Sequence, residues 1–326
     1  MRGPLAGSGA RVTRLARTGC GAAECLQTAR GASMPFFTSL RAAFLALSFA
    51  MTGGTSVAGL RAEAPTVQTQ RDIVYATRPT GPLHLDLHRP ATAKGGRAPV
   101  LIVLHGGAWA RGERPKGWTG HRRFVEAGFA VVSVQYRLSG VAKAPAAVED
   151  VRCAMAWIAR VAEREGLDAR RIVLMGTSAG AHLALMAGFA RPADGLDICG
   201  PGPRAAAIID LYGPSDLRAQ SLGTWSSPSI GKWVGEGPQG AAMAARMSPI
   251  TLVREGQPPT FIVHGDADPV VPLAASTMLK AALDRAGVPS ELHVVPGGGH
   301  GKFDPAVQDR LLADAVAFLR RHRVIG

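Results

Sequence analysis

Beyond about residue 71 the spacing of hydrophobic positions changes repeatedly, and each change marks an element. Leu83, Leu85 and Leu87 alternate with His84, Asp86 and His88, the period of a strand with one solvated face. Continuous apolar runs at 100–104 and 129–134 suit strands buried on both faces. Within 145–163, Val148, Val151, Met155, Ile158 and Ala162 recur at steps of three and four, which predicts an amphipathic helix. A strand at 171–175 and an Ala-, Leu- and Met-rich helix at 179–190 follow. Two more strands fall at 205–211 and 260–263, then a helix at 273–286 stopped by Gly287 and Pro289. A short strand at 291–295 and a helix at 305–322, with Val307, Leu311, Phe318 and Leu319 on one side, complete the series.

This alternation predicts an α/β fold: a mostly parallel sheet of about eight strands, joined by right-handed crossovers and covered by helices on both faces. Residues 65–326 read as a single domain with no internal repeat. The piece 217–255, Gly- and Ser-rich with Trp225 and Trp233, breaks the rhythm. It is too long for an ordinary connection and predicts a lid-like insertion or pocket wall.

Residues 1–64 differ in kind. After an opening rich in Gly, Ala and Arg, Arg41 precedes an apolar run of ten residues at 42–51, and small residues follow at Ser56-Val57-Ala58 and Ala62-Glu63-Ala64. A charged start, a short apolar stretch and small residues at the exit predict a secretory leader, with Met34 as a second candidate start and the mature protein periplasmic or secreted. The alternatives are a buried helix or an uncleaved anchor. Ten apolar residues fall short of the roughly 20 needed to span a bilayer, so no stable membrane span is expected.

The net charge of +13 raises the question of nucleic acid. Residues 1–64 hold seven Arg and two Glu, five of those charges, and the remainder are mostly single arginines with short clusters. Without zinc-finger spacing or an aromatic RNA-binding signature, a basic solvated surface is the better reading. Cys20 and Cys25 fall in the leader, leaving Cys153 and Cys199 to form a bridge after export or to stay as two buried thiols. Neither metal-ligand spacing nor a cofactor motif is present.

Four segments carry chemistry. Gly176-Thr177-Ser178-Ala179-Gly180 fits G-x-S-x-G between a strand and a helix, a context that thrusts the Ser178 hydroxyl outward over helix-terminal N–H groups. The plain alternative is an ordinary Gly-rich turn. His105-Gly106-Gly107-Ala108-Trp109 follows the strand at 100–104. Acyl transfer builds charge on the carbonyl oxygen, and one backbone donor aimed at it is worth about 2.7–4 kcal/mol. The N–H groups of Gly107 and Ala108, with that of Ala179, are the candidate oxyanion hole. His105 reads as pinning the loop, and Trp109 as a pocket residue or simply a packed one.

His264-Gly265-Asp266-Ala267-Asp268 and Gly297-Gly298-Gly299-His300-Gly301 each follow a strand, on the edge where open α/β sheets assemble sites. A serine needs a base, and the base needs a carboxylate to fix its tautomer. Ser178, Asp268 and His300 supply these in an order used by one class of serine hydrolase and not by the two well-known protease folds. Asp266 and Asp216 are rivals for the acid. His182, His293 and His264 are rivals for the base, while His84, His88, His121 and His322 read as surface residues.

Together the four segments resemble the α/β-hydrolase fold serine esterases related to the hormone-sensitive-lipase-like and feruloyl-esterase-like bacterial families, over about 72–322. Gln135-Tyr136-Arg137-Leu138 with Asp150, and Tyr212-Gly213-Pro214-Ser215-Asp216-Leu217, look like further landmarks of that group. The resemblance implies metal-independent hydrolysis of small acyl, aryl or carbohydrate esters through an acyl-enzyme, with Ser178, Asp268 and His300 as triad. One departure is Ala108-Trp109, where lipase-like relatives often carry a third glycine. A peptidase or amidase on the same fold, and a non-catalytic binding protein, are the competing readings.

Overall fold

The structure is a computed structural model that describes residues 66–91, 96–218 and 227–326. The expected leader at 1–64, with Met34, Cys20 and Cys25, lies outside the described residues, as does Trp225.

Eight strands form one sheet: β1 (Val67–Arg78), β2 (Gly81–Pro90), β3 (Ala98–Leu104), β4 (Ala130–Val134), β5 (Leu167–Thr177), β6 (Ala207–Leu211), β7 (Thr260–Gly265) and β8 (Ser290–Val295). Their order is β1-β2-β4-β3-β5-β6-β7-β8, with β1 and β2 antiparallel to their neighbours and β3 through β8 parallel. Sequence leaves β3 toward β4 on one side and returns to β5 on the other. The adjacent carboxyl ends of β3 and β5, where Leu104 pairs with Gly176, therefore flank a switch point, which is where sheets of this kind open a crevice.

Alternate strand residues fill two cores. Val100, Ile102, Leu104, Leu174 and Ile208 pack under α2 (Ala146–Val161), α3 (Ala179–Phe189) and α6 (Ala274–Arg285). Leu101, Val103, Val173, Met175, Phe261 and Val263 pack on the opposite face, under α1 (Arg122–Glu126) and α7 (Pro305–Arg321). Two-sided burial explains the unbroken apolar runs of the central strands. Among the described residues no helix is long and apolar enough to cross a membrane.

Two expectations are corrected. The polar face of β2 is not solvated: Asp86 and His88 are buried, Asp86 accepting from the Asp72 N–H at 2.8 Å and facing Arg114 at 3.2 Å, His88 hydrogen-bonded to the Thr69 hydroxyl at 2.9 Å. His88 is thus no surface residue, and His84, His121 and His322 are half-buried. β1 itself was not expected, because an edge strand with most side chains in water carries no apolar alternation.

In the rhythm-breaking piece, residues 227–255 form α4 (Pro228–Val234), α5 (Gly237–Arg246) and a 3-10 turn (Pro249–Leu252). Trp233 on α4 is fully buried and anchors this piece to the core. Cys153 on α2 and Cys199 form a disulfide, their Cα atoms 5.2 Å apart, with the Arg78 guanidinium against both sulfurs.

Candidate active site

β5 ends at Thr177 and α3 begins at Ala179, leaving Ser178 alone at the corner with φ 53° and ψ −121°. A side chain held at positive φ costs of order 1–3 kcal/mol, so the surroundings must enforce it. The Ser178 N–H donates to the Leu211 carbonyl at 2.9 Å and its carbonyl accepts from His182 N–H at 3.0 Å. A Cβ on Gly176 would lie 2.3 Å from the Gly180 carbonyl, and one on Gly180 would lie 2.3 Å from the Leu104 oxygen. Both flanking glycines are therefore dictated by how tightly the strand turns into the helix.

The loop after β8 brings His300 to this corner. Its Nε2 is 2.8 Å from Ser178 Oγ and its Nδ1 2.7 Å from Asp268 Oδ2. A carboxylate only accepts, so Nδ1 carries the proton and Nε2 is left to accept from the serine hydroxyl. The Asp268 side chain is fully buried and that of His300 is 18% exposed. Asp268 Oδ1 accepts from the N–H groups of Val270 (2.7 Å) and Val271 (3.0 Å), which locks the carboxylate plane. Behind it, His264 donates through Nε2 to the Val271 carbonyl at 2.9 Å and accepts from Ser276 at Nδ1. Burial lowers the His264 pKa, so this ring faces Asp268 at 3.4 Å in its neutral form.

The rivals are engaged elsewhere. Asp266 accepts from Gly297 N–H at 2.6 Å and braces the turn. Asp216 is buried with Arg218 and Ser248. His182 is buried between Trp109 and the Met247 carbonyl, and burial pushes its pKa down to about 4. His293 pairs with Glu291 and packs on Phe261.

The glycine loop after β3 lies against the serine corner. A Cβ on Gly106 would stand 3.0 Å from the Thr177 oxygen and 3.3 Å from Ser178 Cβ. Gly107 (φ 120°), Ala108 (φ 55°) and Trp109 (φ 56°) are all at positive φ, and a Cβ on Gly107 would sit 2.0 Å from the Arg111 oxygen. His105 pins this loop: Nδ1 bonds the Gly106 carbonyl at 2.7 Å, the ring stacks on Tyr136 at 4.4 Å, and the Tyr136 hydroxyl donates to the His105 carbonyl. The next residue, Arg137, is clamped by both oxygens of the buried Asp150, which ties this segment to α2. Ala179 opens α3, where unpaired N–H groups and the helix dipole favour negative charge.

Trp109 is no open pocket wall. It is 3% exposed and stacks flat on Trp233 at 4.8 Å, so the packed alternative holds for it. A cavity of about 550 Å³ is lined by Leu217, Ile230, Val234 and Ala244 among others, and by none of Ser178, Asp268 or His300.

One neighbour of the imidazole carries no role in the sequence reading. Tyr212, at the end of β6, sets its ring 4.8 Å from that of His300 at 65°. Its place directly after a strand, beside a glycine, was the available signal.

The BD-FAE family model matches residues 85–283. Esterase LipQ of Mycobacterium tuberculosis is 36% identical over 240 residues, covering 70% of this chain and 56% of that protein. Esterase LipC of the same organism is 28% identical, covering 72% and 60%. The chain thus spans little more than half the length of these relatives. Among solved structures, a truncated carbohydrate esterase from gut microbiota is 27% identical with TM-score 0.67, covering 79% of this chain and 97% of that one. An esterase of Thermogutta terrifontis, solved with butyrate bound, has the same TM-score at 24% identity, covering 81% and 96%, a likeness of fold.

Proposed function

The chain belongs to the BD-FAE family, with the α/β-hydrolase fold, and from that premise we propose that it is a serine carboxylesterase acting on small acyl, aryl or carbohydrate esters. The observation that carries the reading is one imidazole hydrogen-bonded on both sides, at 2.8 Å to a serine hydroxyl and at 2.7 Å to a buried carboxylate. Esterase relatives at 36% and 28% identity, and a carbohydrate esterase at 27%, support the reaction class.

In the reaction Ser178 Oγ bonds the ester carbonyl carbon while His300 Nε2 takes the hydroxyl proton. The carbonyl electron pair moves to oxygen, and that oxyanion accepts from the N–H groups of Gly107, Ala108 and Ala179. Collapse breaks the bond to the alcohol, which leaves with the proton from His300. Asp268 steadies the imidazolium in between and keeps its own charge. Water then attacks the acyl-enzyme, His300 takes its proton and returns it to Ser178, and the carboxylic acid departs.

Positive φ at Ala108 and Trp109, a costly conformation for residues with a Cβ, supports the oxyanion role of the glycine loop, since the surroundings that enforce it also fix the direction of its N–H groups. We also propose that 1–64 directs export. The Cys153–Cys199 bridge supports an oxidising destination. The test of function is turnover of p-nitrophenyl acetate by wild type and by Ser178→Ala. Activity in the first and its loss in the second is expected, and equal rates would defeat the reading. Cleavage of aminoacyl anilides with no ester turnover would put a peptidase in its place.

A further inference from the structure

The loop that carries His300 is wound around a single side chain. Tyr212 contacts the imidazole at 4.8 Å and the Phe303 ring at 5.9 Å, the latter nearly perpendicular. Gly301, at φ 67°, passes so close that a Cβ there would lie 2.4 Å from the tyrosine oxygen. Three of the four residues 300–303 therefore touch one phenol ring or its hydroxyl.

The post is itself fixed. Tyr212 is held at φ 50°, a region a bulky residue enters only under constraint. Its N–H donates to the Val263 carbonyl at 2.7 Å, tying the end of β6 to β7. The Thr177 side chain, next to the nucleophile, lies beside the phenol oxygen. One residue thus links the strand that carries Ser178, the strand that precedes Asp268 and the loop that carries His300. Burial, with the charge of Asp268 nearby, raises the phenol to about 12, so the post stays neutral wherever the imidazole works.

We infer that Tyr212 is a positioning residue for the base. Its ring blocks rotation of the His300 side chain away from the line, so that Nδ1 and Nε2 meet Asp268 and Ser178 together. The inference rests on the esterase reading for its kinetic readout but not for its spectroscopic one. Ring volume on that side, and not the hydroxyl, is the operative property.

The test compares Tyr212→Phe, Tyr212→Leu and Tyr212→Ala in the full chain. With p-nitrophenyl acetate, Tyr212→Ala should lose about a hundredfold in kcat, the scale of a base displaced by roughly an ångström, while KM changes little. Tyr212→Phe should keep nearly all of kcat, and Tyr212→Leu, which fills the space without a flat ring, should fall between. The same variants are compared by the far-downfield proton resonance of the Nδ1–H···Asp268 bond, which needs no substrate. It should persist in wild type and Tyr212→Phe and broaden or vanish in Tyr212→Ala. Full kcat and an unchanged resonance in a folded Tyr212→Ala or Tyr212→Leu would overturn the inference. So would a loss in Tyr212→Phe equal to that in Tyr212→Ala. If wild type turns over no ester while the resonance still depends on the ring, the esterase reading fails and the positioning role stands.

Discussion

Exchanging Asp268 for Asn alters one polar atom and almost no volume, which makes it a clean probe of the proposed proton route. One carboxylate oxygen accepts from two backbone N–H groups, at 2.7 and 3.0 Å, and the other from His300 Nδ1 at 2.7 Å. Asparagine can keep both backbone bonds only with its carbonyl on the first oxygen's position, and this turns its NH2 toward the imidazole. The opposite flip loses two hydrogen bonds of about 1 kcal/mol each and sets donor against donor. Nδ1 then becomes the acceptor and the ring proton moves to Nε2, facing Ser178 Oγ across 2.8 Å. In that tautomer His300 has no lone pair for the serine proton.

The corresponding exchange in a serine protease lowers kcat by about 10⁴, equivalent to about 5 kcal/mol of transition-state stabilisation. Asp268→Asn should show a loss of that order with p-nitrophenyl acetate, with KM little changed and the fold intact by circular dichroism. Asp266→Asn and Asp216→Asn serve as controls and should stay near wild type in kcat. A folded Asp268→Asn variant within about tenfold of wild type, less than 1.4 kcal/mol, would refute the tautomer argument. A larger loss from Asp216→Asn would move the acid to that position.

Two further outcomes concern stability. The Cys153–Cys199 bridge spans 46 positions, so chain entropy predicts that replacing both cysteines by Ala costs about 4 kcal/mol in urea unfolding; a loss below about 1 kcal/mol would mean that the bridge is absent or the unfolded chain already compact. Asp210 is fully buried beneath α3, with Oδ2 lacking a hydrogen-bond partner among the described residues, and burial raises its carboxyl to about 7. Unfolded Asp ionises near 3.8, so between 3.8 and about 7 the folded chain keeps a proton that the unfolded chain releases. This group's contribution is therefore favourable below 3.8 and lost as pH rises through about 7. Asp210→Asn should consequently be more stable than wild type at pH 8 and lose that advantage at low pH; the same difference at both ends would contradict the assignment.

The serine, histidine and aspartate were legible because each sits at a strand end, and the strands advertise themselves through runs buried on two faces. Their meeting follows from parallel topology, which delivers every strand's carboxyl end to one edge. What stayed hidden depends on packing between segments far apart in the chain. β1 pairs through its backbone and leaves most side chains in water, so its sequence has no apolar beat. Alternation suggested that Asp86 and His88 face solvent, but partners from β1 and from Arg114 cover them. Trp109 looked available because it follows the glycine loop, and only the placement of α4 shows that Trp233 stacks upon it. Whether Cys153 and Cys199 join could not be read from their spacing, since α2 and a distant loop must first be brought together. Tyr212 was visible as a landmark, but its contact with His300 is a property of two loops and of neither alone.

In the proposed mechanism Ser178 carries the acyl group during turnover. Acid quenching of a reaction with p-nitrophenyl acetate, followed by peptide mass spectrometry, reads this directly. A single acetyl adduct is expected on the peptide containing Ser178, formed within one turnover, chased by water and missing from Ser178→Ala. An adduct on any other residue, or ester turnover that persists in Ser178→Ala, would contradict it.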